Sequence, residues 1–188
     1  MQYLNRKHHF FLSYSSIPPW DTNISPAELV DFLDSQSAGR ALDIGCGTGT
    51  NLITMAAEGW VVDGIEYIRK AVRAANQKVS GKNLPIQIYH ADFLKWKCNP
   101  NTYDFILDMG CYHSLPEREK RTYENKVFSL LKVGGFYYLN GFLQNETPRR
   151  GIKPEDIAAL SARFNLMKDV RNPGIDDRPA AWLLFRRD

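Results

Sequence analysis

Asp43, Gly45, Gly47 and Gly49 stand at alternate positions where an apolar run, Ala41-Leu42-Asp43-Ile44, meets a helix-like one, Asn51-Leu52-Ile53-Thr54-Met55-Ala56-Ala57. The order reads strand, tight turn, helix. Glycines in such a turn open backbone conformations closed to other residues and leave no side chain between main chain and ligand, while the helix start offers unpaired N–H groups. A nucleotide-like ligand suits the place. The dinucleotide fingerprint G-x-G-x-x-G asks for its third glycine at position 50, where Thr50 stands. The acid points the same way: a carboxylate at the strand end repels a pyrophosphate and holds a cationic amino group.

Further chemistry-bearing residues follow at intervals. Glu66 ends a second apolar run, 21 positions after Gly45, about where an acidic side chain accepts hydrogen bonds from a ribose. Asp92-Phe93 comes just past a third such run; the alternative for Asp92 is that it only caps a turn. Asp108 closes a fourth, and Met109-Gly110-Cys111-Tyr112-His113 runs on from it. His113 has the side chain of a general base or of a loop-orienting group. Cys111 has no identifiable partner that would activate it, so it reads as an inert thiol.

The elements that must position these residues are legible from period and punctuation. Ser25-Pro26-Ala27-Glu28 reads as a helix start with Ser25 as N-cap and Glu28 closing a capping box; the helix runs to about Ser35 on an apolar side of Leu29, Val30, Phe32 and Leu33. After the glycine turn, a helix runs to about Glu58 with Gly59 as its stop, then a strand over Trp60 to Glu66, a helix from about Ile68 to Val79 and a strand over Pro85 to His90. Tyr103 to Met109 is a strand and Glu117 to about Leu131 a helix. Arg118, Glu119, Lys120 and Arg121 form that helix's solvated face. Gly134-Gly135 turns the chain into a strand over Phe136 to Asn140. Gln144 to Lys153 reads as a polar loop, Pro154 to about Ala162 as a helix, and Phe164 to Val170 and Ala181 to Arg187 as strands. No helix fits between those last two, so they pair as an antiparallel hairpin. Alternating strands and helices before them imply a parallel sheet with its ligand across the carboxyl ends of the strands.

The Asp43-x-Gly45-x-Gly47-x-Gly49 run resembles the first motif of the class I S-adenosylmethionine (SAM)-dependent methyltransferases, and the terminal hairpin is a second point of likeness. Pro18-Pro19-Trp20-Asp21, Asp108 to Leu115 and Pro179-Ala180-Ala181-Trp182 are similar to the small-molecule branch related to thiopurine and tellurite-resistance methyltransferases. The resemblance implies an α/β, Rossmann-like, doubly wound sheet of seven strands, mostly parallel with an antiparallel C-terminal hairpin. It implies SAM as cofactor and S-adenosylhomocysteine as product, bound by Trp20, Asp43, Gly45, Cys46, Gly47, Glu66, Tyr67, Asp92, Phe93, Asp108 and Met109. In the same reading Asp92 accepts from the adenine amine with Phe93 beside the base. The methyl acceptor meets Phe11, Tyr14, Tyr112 and His113, with His113 and Asp108 as candidate catalytic groups.

Composition bounds the partners. The 188 residues suit one domain spanning 1–188, with residues 1–24 as an aromatic, proline-stiffened lid. A net charge of +3 and a pI near 8.7 argue only weakly for nucleic acid. Three cysteines without C-x-x-C spacing suggest neither a disulfide framework nor a metal site. No signal peptide or apolar span is legible, so the expectation is a cytoplasmic monomer or homodimer acting on a small molecule: a thiol, a chalcogen or halide anion, or an amine. The alternatives are an RNA methyltransferase, supported by mild basicity and Arg149-Arg150, a non-catalytic SAM-binding subunit, and a nicotinamide-dependent reductase. Thr50, Asp43 and the lack of a recognisable catalytic Tyr-x-x-x-Lys disfavour the reductase.

Overall fold

The computed structural model describes residues 10, 12–13, 18, 21–145, 150–175 and 178–188. Among them seven strands form one sheet in the order β3-β2-β1-β4-β5-β7-β6, and the chain divides into two compact units, Met1–Trp96 and Lys97–Asp188. The α/β class and the mostly parallel sheet ending in an antiparallel hairpin match the expectation. Phe11, Tyr14 and Trp20, on which the lid expectation rests, lie outside the described residues.

In the first unit, α1 (Ala27–Ser35) leads to β1 (Arg40–Ile44), α2 (Thr50–Ala57), β2 (Val61–Glu66), α3 (Arg69–Val79) and β3 (Ile86–His90). Ser25 is not the cap of α1. Pro26 takes that place with extended backbone, its carbonyl accepting from Leu29 and Val30, while the Ser25 hydroxyl bonds Asn51 and Thr54 instead. Leu29, Phe32 and Leu33 face inward, whereas Val30 is 36% exposed. β1 pairs β2 and β2 pairs β3, both parallel, so Ile44 lies beside Ile65 and Glu66 beside His90. That register sets the carboxyl ends of three strands, far apart in sequence, along one edge.

The second unit holds β4 (Tyr103–Met109), a 3-10 turn (Tyr112–Ser114), α4 (Glu117–Leu130), β5 (Leu131–Phe142), α5 (Pro154–Ser161), β6 (Asn165–Ile175) and β7 (Arg178–Arg186). β4 and β5 are parallel; β5–β7 and β7–β6 are antiparallel. Gly134-Gly135 does not start β5 as expected but interrupts it. Tyr103 pairs Leu131 and Phe105 pairs Phe136, so the residues between loop out, and a side chain at Gly135 would meet Lys132 O at 3.0 Å and Asp104 O at 3.1 Å. The hairpin also reaches further into the proline-containing connection than its composition suggests, with Ile175 paired to Arg178. β6 is an edge strand, and Pro173 falls in its register shift between Asn172 and Ile175, a place where proline is tolerated, with Gly174 at φ +69° absorbing the irregularity.

The expected solvated face of α4 is half right. Arg118 and Arg121 are exposed, but Lys120 is 4% exposed, its ammonium 2.5 Å from Asp156 Oδ2 and 3.3 Å from the Gly151 carbonyl. A buried cation persists only when paired and hydrogen-bonded, and Asp156, itself 5% exposed, meets that need from the start of α5. No helix among the described residues is long and apolar enough to cross a membrane.

Candidate active site

Asp43 is the penultimate residue of β1 and is 2% exposed. Beyond it the backbone turns on three glycines with left-handed φ: +74° at Gly45, +54° at Gly47 and +83° at Gly49. Residues with a Cβ avoid that region, which is the local reason for the alternating pattern. The Gly45 and Cys46 N–H groups donate to the Ile65 carbonyl at 2.8 and 3.2 Å, seating the turn on the end of β2. Cys46 buries its side chain towards β2, and a Cβ at Gly64 would come within 2.9 Å of Sγ and 2.7 Å of a Leu52 methyl. The Cys46 thiol therefore packs, leaving its main chain to line the turn.

Glu66, 5% exposed, folds back over this turn. Its Oε2 accepts from the Gly47 N–H at 3.3 Å and its Oε1 from the Ile68 N–H at 2.7 Å, bracing the glycine turn against the start of α3. Burial raises the Glu66 carboxyl above its ordinary pKa, opposed by the backbone donors at Ile68, Gly47 and Tyr67. Next along the edge, the Ala91 N–H donates to the Glu66 carbonyl, and residues 92–96 form a turn in which Asp92 Oδ1 accepts from Leu94 N–H at 3.0 Å. Asp92 thus does cap a turn, and the buried Phe93 ring anchors it. Tyr67 meets Phe10 edge-on, with ring centroids 6.2 Å apart. The first unit therefore gathers Asp43, Gly45, Gly47, Glu66, Tyr67, Asp92 and Phe93 from the ends of three strands.

In the second unit, Asp108 is fully buried at the end of β4, with Met109 after it. Its carboxylate accepts from the Cys111 N–H at 2.8 Å, from the Tyr112 N–H at 3.1 Å, and from the Tyr123 and Tyr137 hydroxyls. Burial pushes this carboxyl up to about 6, with Tyr123 the largest opposing influence. So many donors on one carboxylate make Asp108 the organiser of the turn that follows. Tyr112, expected near the acceptor, is instead fully buried, its hydroxyl 2.6 Å from Glu124 Oε1; its ring belongs to the core of this unit.

His113 occupies the same 3-10 turn, its ring edge-on to Phe142 with centroids 5.2 Å apart. Its Nδ1 is buried without a hydrogen-bond partner among the described residues. Burial first, then the charges of Arg178 and Lys120, lowers its pKa to about 4, which keeps the ring neutral near pH 7 and makes it a weak base. Reading the sequence missed Arg178, which stacks 4.0 Å over the Phe142 ring, and noted Arg150 only as a basic residue of the polar loop, not as the donor it is to the Ser114 carbonyl at 3.1 Å. It missed Tyr123 as well. None of the three sits in a motif; only the tertiary fold brings them to the 112–115 turn.

A family model described as a methyltransferase domain matches residues 41–135, half of the chain. The chain is similar to thiocyanate methyltransferase 1 of Brassica oleracea, at 28% identity over 123 residues covering 63% of this chain and 54% of the relative. It is also similar to an uncharacterized methyltransferase of Schizosaccharomyces pombe, at 24% identity over 110 residues covering 58% of this chain and 76% of the relative. It thus spans about three quarters of the yeast relative's length and about half of the plant relative's. Among solved structures, the N-methyltransferase NodS from Bradyrhizobium japonicum WM9, in complex with S-adenosylhomocysteine, matches with a TM-score of 0.84 at 18% identity, over 97% of this chain and 98% of that one. With the acidic glycine turn, the strand-end acids and half of the chain matched by that model, the chain belongs to the methyltransferase domain family and is a class I SAM-dependent methyltransferase.

Proposed function

We propose that this enzyme methylates a small, soft nucleophile such as a thiol, a chalcogen or halide anion, or an amine, and that the edge formed by β1, β2 and β3 carries the cofactor. The observation that carries the reading is the Glu66–Gly47 hydrogen bond, which sets a buried carboxylate against the bare glycine turn that follows the buried Asp43. Two buried carboxylates at one edge attract an ammonium and a ribose diol and repel a pyrophosphate. A carboxylate has about four acceptor sites, more than the backbone partners of Glu66 use. The residues present therefore fit SAM. Asp43 receives its amino-acid ammonium, Glu66 its ribose hydroxyls and Asp92 its adenine amine, with Phe93 beside the base.

When bound, SAM supplies a methyl group on a sulfonium whose positive charge makes the departing thioether a good leaving group. What remains for the chain is alignment and exclusion of water, and alignment alone is worth effective molarities of ~10⁵–10⁸ M. Asp108 serves as a positioning residue in this reading, since its carboxylate holds the backbone of the Tyr112–Ser114 turn. A soft acceptor agrees with the name of the Brassica relative, a thiocyanate methyltransferase. It also agrees with the absence of an Asn/Asp-Pro-Pro-Tyr/Phe motif after β4, where Asp108-Met109-Gly110-Cys111 stands. A thiol with a pKa near ~8.5 is already partly thiolate at neutral pH and needs no strong base.

Two measurements test the reading. Calorimetry should show SAM and S-adenosylhomocysteine binding without tight NAD(H) binding, and Glu66→Ala should weaken that binding roughly 10- to 100-fold, the scale of hydrogen bonds to a charged group. Incubation with methyl-labelled SAM should label members of a pool of thiocyanate, iodide, small thiols and amines. Labelling of structured RNA alone would overturn the acceptor class, and NAD(H) binding in place of SAM would overturn the cofactor.

A further inference from the structure

β5 carries a glycine at position 141, paired with Ala181 of β7 one pair from the end of their ladder, where a side chain would ordinarily stabilise the strand. Its backbone φ is not in the left-handed region, so conformation does not demand glycine there. The demand comes from His113. A Cβ at Gly141 would lie 2.9 Å from His113 Nδ1, 3.0 Å from His113 Cβ and 3.1 Å from a methyl of Ile152. The ring is therefore seated directly on the bare backbone of β5, wedged between Gly141 and the Phe142 ring.

That seating fixes the tautomer as well as the position. Nδ1 is buried and has no hydrogen-bond partner among the described residues, so an N–H there would bury a donor with nothing to receive it, whereas a lone pair left unpaired is the less costly orphan. The hydrogen of the neutral ring consequently resides on Nε2. The charged groups acting on the ring are Arg178 of β7 and Lys120 of α4, and both disfavour a second proton.

We infer that Gly141 is a positioning residue that holds His113 as a fixed Nε2–H donor, and that this donor, in place of a general base, orients an electron-rich acceptor for methylation. The inference rests on the methyltransferase reading above, but half of its test does not depend on turnover. Nitrogen-15 NMR of the full chain should report His113 as the Nε2–H tautomer, without the titration near pH 6.5 of an ordinary histidine. Sodium thiocyanate added to protein saturated with S-adenosylhomocysteine should shift the Nε2 resonance, while sodium sulfate at equal ionic strength should not. Gly141→Ala should displace the ring, raise KM for the acceptor about tenfold and leave cofactor affinity within about twofold. His113→Gln, which keeps an amide donor, should retain most of the acceptor affinity that His113→Phe loses, and it serves if Gly141→Ala does not fold. An Nδ1–H tautomer, a titration near pH 6.5, or equal KM values for the Gln and Phe variants would each overturn the assignment. Absence of methyl transfer to every acceptor, with the tautomer as stated, would count against the proposed activity and leave the geometry of His113 standing.

Discussion

Lys78 Nζ donates to Thr48 Oγ1 at 2.9 Å, and that same hydroxyl donates onward to the Asp21 carboxylate at 2.8 and 2.9 Å. Thr48 lies between two left-handed glycines, so this chain of bonds ties the most permissive part of the backbone to the far end of α3 and to the segment preceding α1. Lys78 also reaches Thr50 Oγ1 at 3.0 Å, at the first residue of α2, and Asn23 Oδ1 at 2.7 Å. The turn proposed to present bare backbone to the cofactor thus gains rigidity from outside, without a further side chain entering it.

Lys78→Met should therefore loosen the turn more than it unfolds the protein. Lys78 is 27% exposed, so solvent weakens its bonds, and a loss of about 1 kcal/mol is expected. In calorimetry that corresponds to an S-adenosylhomocysteine Kd raised about fivefold. Thr48→Val should do the same, because it removes the hydroxyl that relays the contact to Asp21. If both variants bound the cofactor like the parent, the latch would be a surface feature without influence on the site.

Gly64 offers a packing test of the same turn. It pairs with Asp43 across β1 and β2, and an alanine there would press on Leu52 methyls at 2.7 and 2.9 Å and on Cys46 Sγ at 2.9 Å. Overfilling a well-packed core costs about 1–3 kcal/mol, so Gly64→Ala should lower the denaturation midpoint. Adding Cys46→Ala removes one of the two crowded partners. The double variant should thus recover part of the loss, a favourable coupling on the scale of ~0.5 kcal/mol or more for residues in contact. Strict additivity in urea unfolding would mean that Leu52 alone takes the strain.

The proposed cofactor edge was legible in the sequence because its chemistry is local: Asp43, Gly45, Gly47 and Gly49 occupy a single turn, and each glycine answers to its own φ. Glu66, Asp92 and Asp108 were legible as strand ends, since an apolar run closing on an acid can be read without knowing the neighbours. What they touch was not. The Asp108 carboxylate joins Tyr123 of α4 and Tyr137 of β5 to its own turn, and Lys120 finds its partner 36 residues on, at Asp156. An alternation of charges along α4 looks the same whether or not one lysine points inward, so Lys120 carried no local sign of its burial. Gly64 and Gly141 were silent for a related reason: each is small because of a side chain from elsewhere in the fold, not because of its own backbone angle.

Two perturbed groups beside the end of β4 contribute to the pH dependence of stability with opposite signs. Burial and nearby cations lower His113 to about 4, so the folded state refuses a proton that the unfolded chain accepts near its ordinary 6.5. Its contribution is fully present above pH 6.5 and is lost as the pH falls through about 4. Asp108, raised to about 6 from 3.8, runs the other way: its contribution is present below 3.8 and is lost as the pH rises through 6. The two slopes oppose one another over nearly the same window, so these two contributions partly cancel. Replacing His113 with the non-titrating Gln removes one slope and leaves the other. The stability difference between parent and His113→Gln should widen in the parent's favour by up to about 3 kcal/mol between pH 4 and 6.5, then stay level above that. Urea unfolding of both proteins at half-unit pH steps reads this directly. A gap that stays constant from pH 4 to 7 would show that His113 titrates alike in the folded and unfolded chains, and its seat against Gly141 would then not be the dry one described.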